Sequence, residues 1–168
     1  MDSFFSARNY TPRRVALALA AFAAAMLLGA LAFQYLGGLA PCPLCTWQRY
    51  ALIVAMVLAL GSALSMDNTA RVILAVAGAA FLTSAGIGAF QVGVEQGWWQ
   101  GTQGCTGGQA MAATIDQLLA QVQDKPPARC DEVAWSLFGI SLAGYNFLIS
   151  LALAAAAAAR AAILERDA

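Results

Sequence analysis

The chain has 168 residues, of which 61% are apolar before glycine is counted, 11% are charged and none is histidine. A water-soluble domain is about a quarter charged, so this composition argues for a membrane protein. Nine Lys and Arg balance nine Asp and Glu and are spread along the chain, which leaves no electrostatic footprint for a nucleic acid. The absence of histidine rules out imidazole bases, Ser-His-Asp triads and His-ligated metals.

Charge-free runs mark four candidate spans, near residues 15–36, 49–66, 72–92 and 137–159. A helix needs about 20 apolar residues to cross the hydrocarbon core of a bilayer. The expected fold is therefore all-α: one membrane domain over 1–168, a four-transmembrane-helix bundle with outer loops at 37–48 and 93–136. The first span is too long for a signal-peptide core, so it reads as a retained helix. A short turn from Met66 to Arg71 joins the second and third spans. In the long loop, Met111, Ile115, Leu118, Leu119 and Val122 recur at helical spacing. They predict a short amphipathic helix lying on the membrane surface.

Orientation follows from the basic residues. Arg8, Arg13, Arg14, Arg71, Arg160 and Arg166 fall on the side of the termini, and Arg49, Lys125 and Arg129 on the other. Six against three favours termini inside. Trp47, Trp98, Trp99 and Trp135 then sit at the outer interface, where an amphipathic ring is well accommodated. Gly29, Gly37, Gly61, Gly78, Gly86, Gly88, Gly139 and Gly144, with the alanine runs, are expected to let helix backbones approach in lipid. Gln91 and Asn146 are polar within spans and predict helix-to-helix hydrogen bonds or contact with a ligand.

The reactive groups are four cysteines, all on the outer side: Cys42 and Cys45 in the first loop, Cys105 and Cys130 in the second. Cys42-Pro43-Leu44-Cys45 is a C-x-x-C, a spacing at which two thiols close a small ring and one thiolate is often stabilised. If Cys105 and Cys130 pair, closing that loop would contribute roughly 3.5 kcal/mol in the chain-entropy model, whereas a C-x-x-C ring constrains little. A redox role, a metal site and a static disulfide all remain open for Cys42 and Cys45. For Cys105 and Cys130 a static disulfide is one reading among these.

Arg49 follows Cys45 by four residues at the membrane surface. It either snorkels to lipid headgroups or, with the helix N-terminus, stabilises a thiolate or a developing anion. An oxidised dithiol must hand on two electrons, and the chain carries no haem ligand set, Rossmann glycines or iron-sulfur run to take them. A lipid-soluble quinone at the outer membrane surface is the nearest acceptor that this placement suggests.

The stretch Pro41-Cys42-Pro43-Leu44-Cys45-Thr46-Trp47-Gln48-Arg49, the second cysteine pair, the Cys130-Asp131-Glu132 segment leading to Trp135, and the four spans resemble the disulfide bond formation protein B (DsbB) family. The resemblance covers nearly the whole chain. It implies a bacterial inner-membrane protein, termini cytoplasmic and cysteines periplasmic, that reoxidises the dithiol oxidase DsbA and passes electrons to ubiquinone or menaquinone. By that likeness, Cys105 forms the mixed disulfide with the partner and Cys130 is its pair. Cys42 and Cys45 take the electrons onward, Cys45 faces the quinone, Arg49 is the quinone-interacting arginine, and 111–122 is the surface-lying helix. DsbA sits near ~-120 mV, so its reoxidation calls for a high-potential sink such as a quinone. The best-known member carries an acidic residue where this chain has Gln48, and no role of that carboxylate transfers. The rival readings are a thiol-quinone oxidoreductase resembling vitamin K epoxide reductase, a structural zinc site made by the four cysteines, and a scaffold with two static disulfides.

Overall fold

The structure, a computed structural model, describes residues 12–65, 67–102, 105 and 128–166. The amphipathic helix expected at 111–122 lies outside them. Four long helices dominate: α1 (Pro12–Tyr35), α2 (Pro43–Leu64), α3 (Asp67–Glu95) and α4 (Leu142–Arg166). A two-stranded hairpin, β1 (Ser136–Leu137) and β2 (Ile140–Ser141), precedes α4. All four helices are long and apolar enough to cross a membrane. Large apolar side chains such as Phe22, Val57, Leu82 and Leu151 face outward along the bundle, as in a helix set that meets lipid on one side and other helices on the other.

Helix α3 lies at the centre, flanked by α2 and α4, and α1 packs mainly on α2. Small residues one turn apart make the seams: Ala16, Ala20 and Ala23 on α1 meet Ala55, Ala59 and Ala63 on α2 in one buried cluster. Phe81 and Leu74, fully buried on α3, fill its middle. Only some of the glycines expected at seams serve there. A Cβ at Gly78 would come within 3.3 Å of the Ala157 Cβ, and one at Gly88 within 3.1 Å of the Ala143 carbonyl oxygen, so α3 and α4 pack closely at both points. Gly29 and Gly86 have open space where a side chain would stand.

Helix boundaries differ from those read from charge. Helix α2 begins at Pro43, not near residue 49, so residues 43–48 leave the expected outer loop and enter the helix. The local cause is Cys42, whose extended backbone makes it the N-cap, followed by Pro43 in the first turn, where proline's fixed φ suits a helix and its missing N–H costs nothing. Helix α3 starts at Asp67, so most of the expected turn from Met66 to Arg71 is its first turn. Helix α4 starts at Leu142, not at 137, because the chain first folds back through Phe138 (φ 51°) and Gly139 (φ 78°). Two successive positive φ values match the twist of a two-residue hairpin. Ser141 Oγ then accepts the N–H of Gly144 at 3.1 Å and caps α4.

The far end of α3 is also built to turn. Gly97 (φ 71°) lets Trp98 N–H reach the Gly93 carbonyl at 2.9 Å and its own N–H reach that of Val94 at 3.1 Å, the double bond of a Schellman stop. Trp99 folds back on the helix, stacks on Phe90 with centroids 5.7 Å apart, and donates its indole N–H to the Phe90 carbonyl at 3.0 Å. The connection toward Cys105 thereby leaves α3 across the top of the bundle.

Candidate functional site: two cysteine pairs beside a cavity

One end of the bundle gathers the C-termini of α1 and α3 and the N-termini of α2 and α4. There the two cysteine pairs meet. Cys42, Leu44, Val94, Cys105 and Cys130 form one buried cluster, with Cys45 and Phe90 packed against it. Cys105 and Cys130 are bonded, 4.9 Å apart at Cα, and both are 0% exposed. Cys130 N–H bonds the Cys105 carbonyl at 3.0 Å, and Thr102 supplies a hydroxyl 3.3 Å from the Cys105 sulfur. Beside Cys130, the exposed Arg129 bonds Asp131 at 2.7 and 3.0 Å.

Cys42 and Cys45 are free thiols. They occupy the N-cap and third positions of α2, so the helix itself sets their separation, 2.9 Å between sulfurs. Cys45 thus stands in the first turn of a spanning helix and not in a loop. The Cys42 sulfur also accepts the backbone N–H of Cys45 at 3.3 Å. In this pair Cys42 keeps its proton: its thiol donates to the Cys45 sulfur and is buried, which together hold it well above the ordinary thiol range.

Helix α3 reaches the same sulfur through Gln91, whose Nε2 is 3.5 Å from Cys45 Sγ. Gln91 also accepts from Gln48 Nε2 at 2.7 Å, so it serves both as a bond between helices and as a neighbour of the reactive group. Arg49 is neither free nor in reach of lipid alone. Its guanidinium donates to Gln34 Oε1 and, at 3.2 Å, to the Ala30 carbonyl, both on α1. Gln34 was not singled out from the sequence; a lone amide in an apolar span was the available signal. Asn146 on α4 donates to the Ser84 hydroxyl on α3 at 3.2 Å, and the Ser150 hydroxyl on α4 donates to the same Ser84 oxygen at 3.4 Å. These are the helix-to-helix contacts expected of a polar residue within a span.

Cys45, Gln48, Arg49 and Asn146 also border a cavity of about 230 Å³ between α1, α2 and α4, whose other walls include Met26, Phe33, Leu39, Leu52 and Ile149. Trp135 packs on Phe33 with centroids 5.0 Å apart and holds the segment after Cys130 over α1. The cavity offers mostly apolar walls, one fixed cation and one thiol sulfur. Among the described residues no group of three or more His, Cys, Asp or Glu is placed to hold a metal ion, and the disulfide takes up two of the four sulfurs that a zinc site would need.

Fold and site together define an integral membrane protein with a thiol-disulfide centre at one end of its bundle. The family model for disulfide bond formation protein DsbB matches residues 12–160, and the chain belongs to that family. It is 34% identical over 145 residues to a disulfide bond formation protein B of Verminephrobacter eiseniae, covering 82% of this chain and 79% of the relative. It is 32% identical over 144 residues to one of an Acidovorax species, covering 82% and 80%, and 29% identical over 149 residues to one of a Polaromonas species, covering 85% and 86%. No solved structure matches the chain.

Proposed function

We propose that this membrane protein is a quinone-dependent thiol-disulfide oxidoreductase of the bacterial inner membrane, with its cysteine end in the periplasm and both termini in the cytoplasm. It reoxidises a DsbA-type dithiol oxidase and passes the electrons to ubiquinone or menaquinone. The observation that carries this reading is the junction of a bonded pair, a free pair and an apolar cavity holding Cys45 and Arg49. A static scaffold has no use for a cavity that brings a thiol and an arginine together beside it.

In this reading a thiolate of the reduced partner attacks Cys105, the bond to Cys130 breaks, and Cys130 leaves as thiolate. The partner's second thiol displaces Cys105, so the partner departs as a disulfide and both loop cysteines are reduced. They exchange in turn with Cys42–Cys45 in its disulfide form and regain their own bond.

The cavity suits a quinone headgroup. At about 230 Å³ it falls below the ~300 Å³ at which pockets for drug-sized ligands begin, which fits a small ring whose tail stays in lipid. Arg49, steadied by Gln34 and Ala30 on α1, would donate to a quinone carbonyl, and the walls on three helices are mostly apolar. The quinone supplies the sink for the two electrons and two protons released when Cys42 and Cys45 close into a disulfide.

The test is purified protein in detergent with a reduced DsbA-type oxidase and soluble ubiquinone or menaquinone analogues, following quinone absorbance. Consumption that requires both cysteine pairs supports the reading. No consumption by the parent protein with either quinone class sinks it.

A further inference from the structure

The amide of Gln91 is 5% exposed and meets three side chains. Its Oε1 accepts from Gln48 Nε2 at 2.7 Å, and its Nε2 lies 3.3 Å from Glu95 Oε1 and 3.5 Å from Cys45 Sγ. The same Oε1 is 3.7 Å from that sulfur. Turning the amide end for end would exchange donor and acceptor at nearly the same position. The two orientations act oppositely on a thiolate: an N–H stabilises it, and a carbonyl oxygen repels it.

The neighbours select one orientation. Gln48 brings an N–H to the oxygen end, and Glu95 brings an oxygen to the nitrogen end. With one N–H of Gln91 given to Glu95, the other is left for Cys45. The sequence offers no other donor of this kind on α3 within a turn of Gln91, where the neighbours are Phe90, Val92, Gly93 and Val94.

We propose that Gln91 is a catalytic residue of the thiol pair, donating an N–H to the Cys45 thiolate, and that Gln48 and Glu95 are positioning residues that fix its amide in that orientation. The proposal deepens the reading of Cys42 and Cys45 as a redox pair and rests on it. It assigns Gln48 a task that a neutral amide performs and an ionised carboxylate at that position could not, because a carboxylate only accepts. By stabilising the reduced form, the arrangement makes Cys42–Cys45 a stronger oxidant of the loop thiols.

The test isolates the pair in Cys105→Ser/Cys130→Ser protein, equilibrated in detergent with glutathione redox buffers, with the disulfide fraction read by mass after alkylation. Gln91→Met keeps the side chain's length without its N–H and is expected to shift the equilibrium toward disulfide by roughly tenfold, the effect of losing one hydrogen bond to a charged group. Gln48→Met is expected to shift it the same way by about two- to fivefold, because the amide loses its guide but not its N–H. A Gln91→Met equilibrium unchanged from the parent, or a Gln48→Met shift larger than that of Gln91→Met, overturns the proposal. Should Gln91→Met fail to form a helical bundle by circular dichroism, Gln48→Met decides: an equilibrium equal to the parent's overturns the proposal. Neither quinone nor partner protein enters this equilibrium, so a parent that fails to reduce quinone sinks the proposed function and leaves this measurement standing.

Discussion

The two cysteine pairs are held by different means. Cys42 and Cys45 are fixed by the first turn of α2, where an N-cap residue and the residue three further on face each other whether or not their sulfurs are joined. Cys105 and Cys130 are 25 positions apart in sequence, and of the hydrogen bonds described around them the cross-connection is one backbone bond, from Cys130 N–H to the Cys105 carbonyl. The helix-held pair can open and close with little rearrangement, which suits the redox role proposed for it. The loop-held pair is joined across the chain by its own bond and that one backbone hydrogen bond among the described residues, and both cysteines are fully buried.

The sharpest way to break this contrast is to remove one pair at a time and change the reductant. Loss of Cys42 or Cys45 to serine should abolish quinone reduction with any reductant, because nothing else in the cavity carries electrons. Loss of both Cys105 and Cys130 should abolish it with a protein dithiol yet leave it with dithiothreitol, which is small enough to reach Cys42 and Cys45 directly. Quinone absorbance under the two reductants reads both outcomes. Equal loss in both would mean that the loop pair has a structural task the comparison does not capture.

Arg49 comes next in size. Arg49→Ala removes a cation from the cavity wall and also frees Gln34 and the Ala30 carbonyl on α1. One lost charge-assisted hydrogen bond to the quinone corresponds to a rise in KM of roughly 10- to 100-fold. Arg49→Lys should recover only part, since a single ammonium does not reproduce a planar fork that spans two partners on α1. A wild-type KM for Arg49→Ala would remove the arginine from the quinone site.

The same comparison predicts unequal contributions to stability. In the chain-entropy model the loop disulfide contributes roughly 3.5 kcal/mol, so Cys105→Ser/Cys130→Ser should lower the thermal midpoint in detergent by several degrees. Cys42→Ser/Cys45→Ser removes a sulfur that caps α2, but serine is itself a good N-cap, and the cost should stay below about 1 kcal/mol. Equal midpoints for the two double variants would contradict the stabilising contribution given to the loop bond.

Much of this was legible before the structure. The four helices follow from charge-free apolar runs, and the C-x-x-C with Arg49 picks out residues that the structure gathers at the candidate site. Their boundaries were not legible, because a charge does not mark the edge of a span where the bundle takes polar groups inside. Gln48 and Arg49 are accommodated in α2 only because Gln91 and Gln34 answer them from other helices, and such pairings across 43 and 15 residues leave no local pattern. The hairpin before α4 was hidden for a different reason. Its turn is Phe138-Gly139, whereas the local hairpin signal is Asn-Gly or Asp-Gly. The meeting of the two cysteine pairs is likewise a product of topology: it requires α3 to stop at Gly97 and the chain to turn back over the bundle.

The smallest effect concerns the proton inside the helix-held pair. Cys42 donates to the Cys45 sulfur and is buried, and both causes raise it above the ordinary thiol range. An unperturbed cysteine half-ionises near ~8.5, so its alkylation rate levels off shortly above that pH. Cys42 should instead remain mostly protonated there, and its iodoacetamide labelling in Cys105→Ser/Cys130→Ser protein should keep rising through about pH 10 without a plateau. Replacing the acceptor by Cys45→Ala removes the larger cause and leaves burial, so the rise should move to lower pH without returning fully to the ordinary value. Site-resolved mass spectrometry across the titration gives both curves. A Cys42 plateau near the ordinary thiol value in the presence of Cys45 would show that the pair does not share a proton, and the helix would then set only the distance between the sulfurs and not the roles they take.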